Sequence, residues 1–194
     1  MVVEIMPRRF FDGSNNAKIA DWLVQTTEEN PEILHRRGFQ VNMRLYNNNK
    51  DYRNVILHII HYMEEVSNKK YSNFSVGGMS GANVGIPFNI ICIRRNNEKI
   101  ETLINPQIIS YSIDAREVHV QGCGSIPNCG QVTLSRPARV TVSYYTVDGR
   151  NKVEEFSHFN SFVTQHEIDH NNGILITDYG KIRKKRMLKL TKRL

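Results

Sequence analysis

The sequence predicts an α+β domain, with largely antiparallel β-sheets packed around a central helix and a further helix at the C-terminus. Two observations carry this. Several short segments rich in β-branched residues fill the middle of the chain, and one long helical segment follows them. At 194 residues the chain has the length of a single domain able to bury a substantial core.

The elements follow in order. Residues 1–30 show no clear periodicity before a short helix over Ala17–Gln25, and they read as an N-terminal extension. The segment Tyr52–Asn68 is helical, with Val55, Ile59, Tyr62 and Val66 on one face. His58 and His61 lie three apart there, but without a carboxylate or thiol on the apolar side they read as surface or hydrogen-bonded histidines rather than ligands. The run Asn47–Lys50 reads as a solvated connection, and a glycine-rich stretch spans Val76–Pro87. Strands are expected over 88–95, 101–110, 117–122 and 139–150, the last entering an Asp148-Gly149 turn before "NKVEEF". The region Ser157–Asn172 reads as the long helix, with paired asparagines and Gly173 as its stop.

The composition bounds the class. With 40% hydrophobic residues and no run long enough to span a membrane, the chain reads as soluble and globular. The N-terminal segment has no apolar stretch of the secretory kind, and three cysteines suit a reducing compartment better than a disulfide framework. A cytoplasmic location is expected, or an organelle if the source is a eukaryote. The net charge of +7 is concentrated at one end: residues 181–194 carry eight Lys and Arg and no acid, leaving 18 bases against 19 acids elsewhere.

The chemistry concentrates in "TQHEIDHNNG", which contains His166, Glu167 and His170. Positions four apart share a helix face, so the two imidazoles can grip one metal ion while Glu167 serves as general base. A third ligand is required, and the downstream supply is poor. Past His170 there is no His or Glu, Asp178 is the one carboxylate, and position 176, where the long metalloprotease motif places its third ligand, is Ile176. Upstream, the best candidate is Cys123 in "VQGCGSIPNCG", flanked by Gly122 and Gly124. Cys92 and Cys129 read as small buried hydrophobes.

Together "GGMSGANVGIP", "QGCGSIP" and "QHEIDH", in that order and spacing, resemble the peptide deformylase family. "LINPQI" and "PEILHRRGFQV" resemble further parts of that family, so the likeness runs from about Pro31 to the C-terminus. The resemblance implies a 31–180 metal-hydrolase domain that removes the formyl group from formyl-methionyl nascent peptides. It implies one divalent ion, Fe²⁺ foremost and Zn²⁺ or Ni²⁺ as alternatives, held by Cys123, His166 and His170. A thiolate with two imidazoles accepts any of these ions. Glu167 is then the base, Asn83 and the Gly124 N–H are donors to the formyl oxygen, and Gly78, Met79, Val84, Gly85 and Gln121 contact the peptide.

Three positions depart from the family pattern. Asn83 stands for Gln, one methylene shorter; Gln121 stands for Glu, whose charge would meet Arg136; Gly124 stands for Leu, removing an apolar wall of the methionine pocket. A metal-binding relative without turnover, acting as a binding protein at the ribosome, is the alternative these changes raise. The basic segment 181–194 places Ile182, Met187, Leu190 and Leu194 on one helical stripe and suits a polyanion such as the ribosome.

Overall fold

The computed structural model describes residues 31–70, 77–95, 99–126 and 130–179. The expected Ala17–Gln25 helix, Cys129 and the basic segment 181–194 with its apolar stripe lie outside the described residues. The elements are α1 (Met43–Asn48), α2 (Lys50–Lys70), β1 (Gly78–Ser80), β2 (Ile90–Arg94), β3 (Ile100–Tyr111), β4 (Arg116–Gln121), β5 (Val132–Pro137), β6 (Arg139–Tyr145), β7 (Asn151–Ser157) and α3 (His158–Asn171). Short 3₁₀ turns cover Pro31–His35 and Gly81–Val84. No helix among the described residues is long and apolar enough to cross a membrane.

Five strands pair in the order β1-β2-β3-β6-β7, every neighbour antiparallel, and β4 and β5 form a separate antiparallel hairpin. The run "IICI" in β2 is apolar throughout because both faces of the sheet are covered. Ile90 and Cys92 join the cluster under α2, with Ile56, Ile59, Ile60 and Met63. Ile91 and Ile93 face the other way, into a cluster with Val140, Val142, Tyr144, Phe156 and Ile168 of α3. Helix α3 therefore lies on the sheet, while the β4–β5 hairpin packs against it through the His119 and Phe162 rings, 3.6 Å apart between centroids.

Several expectations shift by a residue or two. The fully buried face of α2 is Ile56, Ile59, Ile60 and Met63, with Val55, Tyr62 and Val66 at its partly buried edges. The Asn47–Lys50 connection shrinks to Asn49, because α1 runs through Asn48. Asn42 accepts the Leu45 N–H at 3.1 Å, and Asn49 accepts the Tyr52 N–H at 2.9 Å, so asparagine side chains cap the starts of both helices. His58 and His61 are exposed, the first 2.9 Å from the Asn54 carbonyl and the second beside Glu65. The β3–β6 register shifts between Ile104 and Gln107. There Asn105 adopts φ 53° and its amide bonds the Val41 N–H and C=O, both at 2.8 Å.

At the far end of the sheet, Arg95 grips Glu154 at two points, 2.8 and 3.0 Å, and also contacts Glu101. The Tyr144 hydroxyl lies 2.9 Å from Glu101 and 2.8 Å from Glu154. The Arg95 hydrogen bonds, aided by Lys152 and Tyr144, hold Glu154 down from 4.5 to about 2. A depressed carboxylate contributes stability that is fully present above its unfolded pKa and is lost as pH falls through the folded one. Urea denaturation between pH 2.5 and 7 should therefore show a shallower acid loss in Glu154→Gln than in the parent. An unchanged acid limb would remove this ion pair from the account of stability.

Candidate metal centre

Helix α3 starts after Ser157 and ends where Gly173 takes φ 71°, its N–H bonding the His170 carbonyl at 2.9 Å. Between those limits His166 and His170 stand one turn apart with their rings edge to face and their Nε2 atoms 3.2 Å apart. Cys123, two residues beyond β4, brings its Sγ to 3.3 Å from His170 Nε2. The three donor atoms lie within 4.8 Å of one another. Bonds of about 2.0–2.1 Å to nitrogen and about 2.3 Å to sulfur place tetrahedral ligands roughly 3.3–3.6 Å apart, so the separations of 3.2 and 3.3 Å about His170 suit one ion. Burial pushes His166 down to about 3, helped by His170, and His170 down to about 4. Both imidazoles are held neutral, the form that donates a lone pair to a metal. The donor set fits a divalent ion.

Glu167 points from the same helix toward β1. It is 4% exposed, and its Oε2 has no hydrogen-bond partner among the described residues. Burial foremost, with Asp169 nearby, raises it from 4.5 to about 8 against the pull of Arg136 and a main-chain bond from Ser80. A carboxyl poised near neutral pH suits a general base. Gly78 is what lets it lie there: a Cβ at Gly78 would stand 2.8 Å from Glu167 Cγ and 2.8 Å from Val163 Cγ1. Asn83 sits in the 3₁₀ turn after β1. Its Oδ1 accepts the Ser80 N–H at 2.6 Å and the Ser80 hydroxyl at 2.8 Å, and its Nδ2 donates to Ser125 Oγ at 2.8 Å.

Residues 22–186 match the family model for polypeptide deformylase. The chain belongs to that family. A peptide deformylase of Streptococcus pyogenes is 43% identical over 79 residues, 40% of this chain, and that match spans 39% of the streptococcal protein. The peptide deformylase of Thermotoga maritima is 27% identical with a TM-score of 0.59, covering 77% of this chain and 91% of that one. A class I type b peptide deformylase from Acinetobacter baumannii, with Met-Ala-Ser bound, shares the fold at a TM-score of 0.62. It is 24% identical and covers 76% of this chain and 91% of that one.

Within this deformylase fold, several residues expected at the peptide do different work. The Met79 and Val84 side chains are 1% and 3% exposed and sit in the α2 cluster, so only their main chain can face a ligand. Gly85 takes φ 70° to end the 3₁₀ turn. Gly124 is exposed. Gly122 needs no special closeness, since a Cβ there would meet only the Gly130 carbonyl at 3.8 Å. Arg136 does not answer Gln121. It lies 2.8 Å from Asp169, donates to the Tyr179 hydroxyl at 3.1 Å and stacks on that ring, while Gln121 Oε1 is buried without a partner among the described residues. Cys92 is fully buried and its thiol is pushed up to about 12, as expected of a structural cysteine.

Sequence reasoning missed Ser80 and Ser125, which hold the Asn83 amide, and Tyr179, which bonds Asp169 at 2.5 Å. Asp169 stood inside the His-Glu-x-x-His run and was its readable signal. Cys123→Ser should weaken binding of one divalent ion per chain by at least tenfold, whereas Cys92→Ser should leave it unchanged, because only Cys123 reaches the imidazoles. Competitive titration with a chromophoric chelator measures both. Equal affinities would remove Cys123 from the donor set.

Proposed function

We propose that this protein is a metal-dependent hydrolase that removes the N-terminal formyl group from formyl-methionyl polypeptides. The observation that carries the reading is Glu167. It does not belong to the metal-ligating trio, yet it is buried beside it with a raised pKa and one unpartnered oxygen. A relative that merely binds metal has no use for such a group, which favours turnover over a binding role. The fold-sharing Acinetobacter enzyme holds Met-Ala-Ser, the product such a reaction leaves from a formylated tripeptide.

Cys123, His166 and His170 would hold the ion, which would supply Lewis acidity to the formyl carbonyl and to the attacking water. Fe²⁺ is the proposed native ion, with Zn²⁺ and Ni²⁺ compatible with the same donors. Glu167 takes one proton from water as its oxygen bonds to the formyl carbon. It then gives that proton to the departing nitrogen as the C–N bond breaks, releasing formate and a free amine. The second Asn83 N–H and the Gly124 N–H donate to the oxygen on which charge develops. Gln121, with the main chain of Gly78, Met79, Val84 and Gly85, contacts the peptide.

The basic segment 181–194 supports an accompanying role at a polyanion, and the ribosome, from which formylated chains emerge, is the proposed partner. The working compartment is proposed to be the cytoplasm.

Release of formate from formyl-Met-Ala-Ser by anaerobic, Fe²⁺-loaded protein tests the activity. Glu167→Gln should bind the ion like the parent yet lose nearly all turnover, since an amide accepts no proton; substantial residual turnover in that variant refutes the assigned base. Asn83→Ala should lower kcat/KM by on the order of a hundredfold with the metal retained. A parental rate there would leave the oxygen to the ion and the Gly124 N–H alone.

A further inference from the structure

Strand β4 and helix α3 lie side by side, and their periodicities match. Glu117, His119 and Gln121 are the partly buried face of β4, while Val118 and Val120 are 68% and 61% exposed. Glu117 Oε1 meets His158 Nδ1 at 2.8 Å, the His119 ring meets Phe162, and Cys123 meets His170 at 3.3 Å. Two strand residues advance about 6.6 Å and four helix residues about 6.0 Å, so strand positions 117, 119 and 123 keep pace with the helix face that holds 158, 162 and 170. The candidate metal centre is one end of this seam. Glu117 with His158 is the other.

That far end is where the hairpin leaves the main sheet. There the Ala138 N–H donates to the Ala115 carbonyl at 2.9 Å, and the Ala138 carbonyl accepts the His158 N–H at 2.8 Å. The β5 strand is tied to α3 by Ser161 and Gln165, which donate to the Pro137 carbonyl at 3.1 and 3.0 Å, and by Arg136 with Asp169. On β4, the strand that delivers Cys123, the corresponding tie is Glu117. Its other oxygen lies 3.1 Å from His119 Nε2, so the carboxylate is held between an imidazole of the strand and one of the helix. His158 takes φ 50°, a left-handed backbone uncommon for a non-glycine residue, with its side chain 77% exposed.

We propose that Glu117 is a positioning residue for the metal centre: by binding His158 it fixes the tilt of the hairpin against α3, and with it the reach of Cys123 to His166 and His170. The proposal rests on the metal-centre reading above. Six strand residues make a lever of about 20 Å, so a tilt of about 5° at Glu117 moves the tip by about 1.7 Å. Metal–ligand distances tolerate only about 0.2 Å.

The test uses the full chain loaded with Co²⁺, whose thiolate charge-transfer absorption reports the Cys123 bond directly. The second readout is the half-life of the ion against excess chelator. Glu117→Ala should shorten that half-life about tenfold and weaken the thiolate band, an effect of the size expected for groups that orient ligands. Glu117→Gln, whose carbonyl still accepts, should recover most of both. His158→Gly keeps the left-handed backbone while removing the imidazole, and it should behave like Glu117→Ala. Asp114→Ala, at an exposed acid near the same hairpin, should match the parent. Folded Glu117→Ala and His158→Gly proteins with parental band and half-life would overturn the proposal. A purely structural role would lower thermal stability without touching the band, and that outcome overturns it too. If the parent itself shows no Cys123-dependent band, the metal-centre reading fails instead, and this proposal falls with it.

Discussion

The structure depends on burying a polar helix. Helix α3 carries Ser161, Thr164, Gln165, Glu167, His170 and Asn171 into the interior, all at most 4% exposed. Such groups destabilise a core unless partners meet them. Some are met: Gln165 and Ser161 donate to the Pro137 carbonyl, and the Asn171 Nδ2 donates to the Asn89 side chain, 2.7 Å away. The groups left without partners are the informative ones. On this helix they are Thr164 Oγ1, Glu167 Oε2, His170 Nδ1 and Asn171 Oδ1 among the described residues, and two of the four belong to the candidate site. Sheet and hairpin enclose the helix from two sides, and that enclosure keeps the imidazoles neutral and raises Glu167 into the range of neutral pH.

The parts of this arrangement that were legible in the sequence are those set by short-range rules. The helix over Ser157–Asn172, its Gly173 stop and the Asp148-Gly149 turn all follow from local backbone preferences, and each is present within a residue. The pairing of His166 with His170 follows from helix geometry alone. Cys123 was legible by elimination and by its family motif, since nothing in the 42 residues between it and His166 states that a loop will meet a helix.

What escaped was set by tertiary contact. The three-residue strand β1 is too short and too glycine-rich to carry a period. Strand β5, "VTLSRP", exists because it pairs with β4, and its alternating half-buried pattern is weak. The side chains of Met79 and Val84 could not be assigned to core or cleft until the fold put α2 over them. Arg136 shows the same limit: its partner is decided by which acid the fold brings near, and that acid is Asp169.

Two side-chain contacts tie the segments of the site together. The Arg136 guanidinium bonds Asp169 and the Tyr179 hydroxyl, which secures the hairpin to the C-terminal half of α3. The shorter Asn83 side chain lies between Ser80, on the glycine-rich segment, and Ser125, two residues past Cys123. It thereby links the turn that shelters Glu167 to the loop that carries the thiol. A side chain longer by one methylene would displace an amide now bonded on both sides, at 2.6–2.8 Å. Asparagine at 83 and serine at 125 therefore act as a pair. The Asn83 amide is fixed by the same bonds that fix the loop, and a change at either position alters both.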